Sequence, residues 1–169
     1  MNDVVAYMSE AAKAARIIDG LPDKIALRPI KKVGIIGAGT MGGGIAMNFA
    51  TASIPVTIVE TREDALTRGL DIVRNNYQRS ADRGRFAQDE VDERMARIEG
   101  ALEIEKLVDC DLVIEAVFED MDLKKRIFSE LDKICKADAI LATNTSALNI
   151  DEIAAVTSRP QDVIGLHFF

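Results

Sequence analysis

Histidine occurs once in this 169-residue chain, at position 167, cysteine twice and tryptophan not at all. One histidine and two isolated thiols, Cys110 and Cys135, cannot form a metal-ligand cluster, so no metal site is expected and both cysteines read as reduced, buried or semi-exposed thiols. No apolar run approaches the roughly twenty residues of a membrane span. Basic residues are the minority, 21 Lys and Arg against 28 Asp and Glu for a net charge of −7, and no basic patch is dense enough to make nucleic acid an expected partner. The opening stretch, MNDVVAYMSEAAKAARIIDG, lacks a basic n-region and an apolar core; no signal peptide is visible and a cytoplasmic location is the expectation. Asn144-Thr145-Ser146 matches a glycosylation acceptor, which has no meaning without secretion. With 48% hydrophobic residues the chain can bury one core and is too short for two full domains.

What the chain does have is concentrated between residues 33 and 60, VGIIGAGTMGGGIAMNFATASIPVTIVE. An apolar run from Val33 to Ile36 feeds Gly37-x-Gly39-x-x-Gly42, a helical stretch follows, and a second run, Val56 to Val59, ends on Glu60. Gly37 permits a tight turn off a strand, Gly39 lets the backbone approach a pyrophosphate, and Gly42 lets the helix pack close to the sheet. The free N–H groups at the helix start, around Thr40 and Met41, favour phosphate. Glu60 lies eighteen residues past Gly42, near the spacing of a carboxylate that binds the adenosine ribose. A glycine-rich turn used only for packing would leave Glu60 unexplained. An acid there accepts the 2′-hydroxyl of NAD and repels the 2′-phosphate of NADP, so NAD is the expected cofactor, although Arg62 could soften that repulsion.

Residues 4–19 have helical spacing and end at Gly20, and LPDKIALRPIKK reads as an extended linker with Pro22 and Pro29 blocking helix. Beyond Glu60 the pattern predicts a long helix over 63–83, a break at Gly84, a second helix over 88–97 completing a hairpin, and a short strand over 98–102. Strands are expected at 111–117, 139–143 and 163–168, and helices at 122–135, capped by Asp120, and 149–156. Strands alternating with helices at this spacing predict a doubly wound, Rossmann-like α/β fold: a mainly parallel sheet, helices on both faces and an inserted helical hairpin. The C-terminal strand ends then share one rim, where open α/β sheets bind ligands. Glu60, Glu119 with Lys124, Asn144 to Ser146, and His167 all fall there.

Four segments, RPIKKVGIIGAGTMGGGIAMNF, DLVIEAVFEDMDLKKRIFSELD, ATNTSALNI and GLHFF, together resemble the NAD-binding domain of the 3-hydroxyacyl-CoA dehydrogenase family, over roughly residues 29–169. Residues 1–28 are similar, more loosely, to the helical linker before this domain in multifunctional β-oxidation enzymes. The resemblance implies oxidation of the 3-hydroxyl of an acyl-CoA with hydride transfer to NAD. It implies cofactor contacts at Gly37, Gly39, Thr40, Met41, Gly42, Glu60, Val117, Phe118, Glu119 and Lys124. Ser146 matches the serine near nicotinamide and substrate, and His167 the catalytic base. The chemistry agrees, since an imidazole titrates near neutrality, as a base for an alcohol proton requires. Each residue also has a plainer role open to it. His167 could pack in GLHFF, Ser146 could cap the helix near Asn149, and Glu119 and Lys124 could be first-turn helix charges.

Arg79, Arg83 and Arg85 on the hairpin could meet CoA phosphates, but a solvated charged face is the better account. Monofunctional members carry a serine and a lysine where Asn76 and Arg83 align, which leaves the exact CoA contacts here open. Ser53 stands where many relatives end the first helix on glycine, implying slight strain. The family motif continues past Phe169 with an asparagine, and the glutamate that orients the histidine follows further on, as does a helical domain that completes the acyl-CoA pocket and carries the homodimer contacts. The expectation is therefore a fragment that binds cofactor and catalyses poorly alone. A non-catalytic NAD-binding module is the alternative. A methyltransferase fits less well, because Ile35 and Ile36 occupy the place of the acid that class usually has before its glycines.

Overall fold

The computed structural model describes residues 2–14, 17 and 26–168. Its centre is a sheet of six strands among the described residues, all parallel: β1 (Val33–Ile36), β2 (Val56–Val59), β3 (Ile98–Ala101), β4 (Leu112–Glu115), β5 (Ile140–Thr143) and β6 (Val163–Gly165), in the order β3-β2-β1-β4-β5-β6. Chain order reverses between β1 and β4, so this is the doubly wound, Rossmann-type sheet that the sequence predicts, and it is wholly parallel.

The continuous apolar runs become strands because both faces of the sheet are covered. Val33, Ile35, Val56, Ile58, Leu112 and Ile114 point into one core, against α2 (Thr40–Thr51) and α3 (Glu63–Asp82). Ile36, Val59, Val113 and Leu141 point into the other, against Phe128 and Leu131 of α5 (Met121–Ile134) and Ile153 of α6 (Ile150–Ala154). Cys110 and Cys135 are buried free thiols in this second core, and burial pushes them up to about 12 and about 11.

The helical hairpin forms as expected, α3 followed by the shorter α4 (Asp89–Met95). It is clasped by Tyr77 edge-on to Phe86 and by the Arg94 guanidinium 3.8 Å over the Phe86 ring. Arg79, Arg83 and Arg85 lie exposed on it, and Arg79 donates to Asn76 on its own helix, which favours the solvated face. Asp120 caps α5 as expected, its carboxylate accepting from Leu123 N–H at 2.7 Å. The expected final strand 163–168 stops at Gly165, although Leu166 N–H still reaches Thr143 O at 3.0 Å. Ser53 takes a left-handed φ of +63°, so the expected strain is present, roughly 1–2 kcal/mol for a residue other than glycine.

Helix α1 (Asn2–Ala14) fills the first part of the expected 4–19 helix; its end at Gly20 and the linker's first half lie outside the described residues. No helix among the described residues is long and apolar enough to cross a membrane.

Candidate functional site

The glycine turn is built as its sequence requires. Gly37 has φ +105°, a conformation costly for any residue with a β-carbon, and its N–H is held by Val59 O at 2.8 Å. A β-carbon on Gly42 would lie 1.9 Å from Gly37 O, so glycine there is what lets α2 start tight against the turn. A β-carbon on Gly39 would meet nothing, because this backbone faces open space. Gly39 is also the N-cap of α2, with no side-chain cap and no acid in the first turn, so the free N–H groups of this turn remain available to an anion.

That space is a cleft of about 940 Å³ at the β1/β4 reversal. Gly37, Gly39, Thr40, Met41, Glu60, Val117 and Phe118 line it, which unites most of the cofactor residues expected from the sequence. Its far wall was not foreseen: Leu102 to Glu105, which follow β3, and Arg126, Ile127 and Glu130 on α5. Phe118 is 86% exposed and Met41 37%, apolar surface that a bound planar base would cover.

Glu60 stands at the end of β2, its Oε2 accepting from Ala38 N–H at 3.2 Å and its Oε1 from Thr61 N–H at 2.8 Å. The first bond ties this acid to the glycine turn. Arg62 is committed elsewhere: its guanidinium forks onto Asp64 at 2.9 and 2.7 Å, which leaves Glu60 as the charge lining this end of the cleft. The glycine geometry, the free helix terminus and this acid fit a dinucleotide.

Lys124 departs from the expectation. It is 0% exposed and does not line the cleft; its ammonium lies 2.6 Å from Glu115 Oε1, itself 0% exposed, and 3.5 Å from Glu119 Oε2. Packing of α5 over β4 turns an apparent first-turn surface charge into half of a buried ion pair. Glu115 was not singled out as functional, yet its carboxylate also accepts from Val117 N–H at 2.8 Å and Thr143 Oγ1 at 2.7 Å. An acid inside the apolar run LVIE was the available signal, since a buried carboxylate must find donors.

Glu119, half-exposed, accepts from the Thr145 hydroxyl and from Ser146 N–H at 3.2 Å. Partial burial acts to raise its carboxyl, but Thr145, Lys124 and the amides of Ser146 and Ala147 outweigh it and hold it below the usual carboxylate range. Thr145 closes the turn by accepting from Leu148 N–H at 2.9 Å, and α6 is capped by Asn149, which accepts from Asp151 N–H at 2.9 Å. The exposed Ser146 does not fill the capping role considered for it. His167 is exposed just beyond β6, and the adjoining Phe168 N–H donates to Asn144 Oδ1 at 2.9 Å, so the backbone beside His167 is bound to the Asn144–Ser146 turn.

A family model for the NAD binding domain of 3-hydroxyacyl-CoA dehydrogenase matches residues 32–169. The chain belongs to that family. Its cofactor is accordingly NAD. It is 46% identical to a peroxisomal bifunctional enzyme of Cavia porcellus over 144 residues, 85% of this chain and 20% of that protein. It is 41% identical to a 3-hydroxybutyryl-CoA dehydrogenase of Clostridioides difficile, covering 82% of this chain and 49% of the other. Among solved structures, (S)-3-hydroxybutyryl-CoA dehydrogenase PaaH1 of Ralstonia eutropha superposes with a TM-score of 0.81 at 38% identity, covering 83% of this chain and 50% of that one. The dehydrogenase part of multifunctional enzyme 1 from C. elegans gives 0.81 at 33% identity, over 98% of this chain and 39% of that one. The chain thus spans about a fifth of the first of these curated relatives and about half of the second.

Proposed function

We propose that this chain is the NAD-binding part of an L-3-hydroxyacyl-CoA dehydrogenase of fatty acid β-oxidation, with a 3-hydroxyacyl-CoA as substrate. One observation supports the proposal: the strands are parallel, so the glycine turn, Glu60, the Ser146 turn and His167 all follow strand ends on the same edge of the sheet, and Phe168 beside His167 bonds to Asn144. Bound NAD supplies the acceptor for the hydride that leaves the substrate's C3. The residues of this chain do the rest. Gly37, Gly39 and Gly42 admit the pyrophosphate, and Glu60 takes the adenosine ribose. Val117 and Phe118 wall the cleft, and Glu119 sets the turn that presents Ser146. His167 accepts the proton of the 3-hydroxyl as the alcohol becomes a ketone, and in reverse its imidazolium returns it. Ser146 orients the reacting oxygen by hydrogen bonding. Residues 1–28 serve as a linker ahead of the domain at 29–169. The working enzyme is a cytoplasmic homodimer, its dimer contacts supplied by a helical domain.

Acetoacetyl-CoA-dependent oxidation of NADH, followed by absorbance in the enzyme carrying this domain, tests the proposal. Turnover in the ordinary range of about 1–10³ s⁻¹ is expected. NADH binding without turnover would instead make the domain a non-catalytic module.

A further inference from the structure

Glu115 ends β4 with no exposed surface, where an unpaired carboxylate would be very costly. Three donors from three elements converge on it: Val117 N–H on the cleft wall at 2.8 Å, the Lys124 ammonium of α5 at 2.6 Å and the Thr143 hydroxyl of β5 at 2.7 Å. Lys124 continues to Glu119 at 3.5 Å, and Glu119 receives Thr145 and Ser146. The Glu115 backbone takes part as well, its carbonyl accepting Asn144 N–H at 2.8 Å, and Asn144 holds Phe168 beside His167. A connected set of polar contacts therefore runs from the cleft wall to both residues assigned to the substrate. A buried ion pair adds little net stability compared with well-packed apolar side chains of similar volume, so stability alone is a weak account of this one.

We propose that Glu115 is a positioning residue. Through Val117 and Lys124 it fixes the loop after β4 against the turn after β5, and so sets where the second nucleotide of the cofactor meets Ser146 and His167. The inference rests on the NAD-binding assignment. In a doubly wound sheet the two nucleotides lie over the two halves, and Glu115 stands where the second half begins. It should therefore matter for the nicotinamide nucleotide and not for the adenosine nucleotide.

Calorimetric titration of this chain with ADP and with NADH separates the two halves. For Glu115→Gln, ADP affinity should be unchanged while NADH affinity falls about tenfold, the scale of one hydrogen bond to a charged group. Thr143→Val, which leaves the ion pair in place, should shift NADH in the same direction by less. Thermal unfolding of each variant is measured alongside. A lowered melting temperature with the NADH-to-ADP affinity ratio unchanged would overturn the proposal, leaving Glu115 a residue of the fold alone. If Glu115→Gln does not fold, the ratio in Thr143→Val decides. Failure of the unaltered chain to bind either ligand would instead overturn the cofactor assignment, and this inference with it.

Discussion

Gly42 stands so close to Gly37 that a β-carbon on it would lie 1.9 Å from the Gly37 carbonyl oxygen, well inside van der Waals contact. Two positions further on, a β-carbon on Gly44 would meet nothing within 4 Å. Helix propensity favours alanine over glycine at both places, by about 1 kcal/mol in a helix interior. Gly44→Ala should therefore stabilise the chain by roughly 0.5–1 kcal/mol. Gly42→Ala should destabilise it by about 1–3 kcal/mol, the usual cost of overpacking, and weaken NAD binding as the turn shifts. Urea unfolding of both variants checks the contrast, and equal effects at the two sites would contradict the close approach.

Glu60 should govern the choice between NAD and NADP. Glu60→Ala should cost about 1.5–3 kcal/mol of NAD affinity, the range for hydrogen bonds to a charged group, and narrow the gap to NADP. The contribution of Arg62 should be small, because Asp64 holds it. Calorimetry with both cofactors measures this, and equal affinities in the unaltered chain would remove Glu60 as the selector.

His167→Gln keeps size and polarity but cannot exchange the proton. In the enzyme carrying this domain kcat should fall by about 10²–10⁴, the contribution of a positioned general base, while NAD affinity barely changes. Steady-state kinetics and cofactor titration of the same variant provide both numbers. Retention of most of kcat would remove His167 as the base.

Acid stability should depend on Asp132. Burial acts to raise its carboxyl, but the Ser158 amide and hydroxyl and the Arg159 guanidinium, at 2.8 to 3.1 Å, outweigh it and hold it below the usual carboxylate range. A depressed pKa in the folded state contributes stability that is present above the unfolded value, about 3.9, and lost as pH falls through the folded one. Asp132→Asn should lower stability at neutral pH and flatten the loss below about pH 4. Chemical unfolding at pH 7 and pH 3 tests both halves, and an unchanged acid slope would rule Asp132 out as its source.

The rest of the fold and site divides between what lies close along the chain and what does not. The turn at Gly37, the helix opening after Gly39, the acid at Glu60 and the cap at Asp120 depend on residues only a few positions apart or on one βαβ unit, so spacing and local backbone chemistry alone specify them. The strand runs were legible for a similar reason: a parallel sheet covered on both faces demands continuous apolar segments. No local pattern marks Lys124, which carries the same charge as its neighbour Lys125, yet only Lys124 is sealed against Glu115 while Lys125 reaches Glu152 from a more open position. Which lysine goes inside depends on how α5 rotates over β4 and β5. Tertiary packing likewise brought Leu102 to Glu105 and Arg126 to the far wall of the cleft. By itself the sequence determined the strands, the glycine turn and the acid that ends the second strand run. Only the tertiary structure decided which charges are buried and which strand ends are bonded together, because those partners sit on different elements, nine residues apart for Glu115 and Lys124 and 24 for Asn144 and Phe168, and meet only when helix and sheet pack.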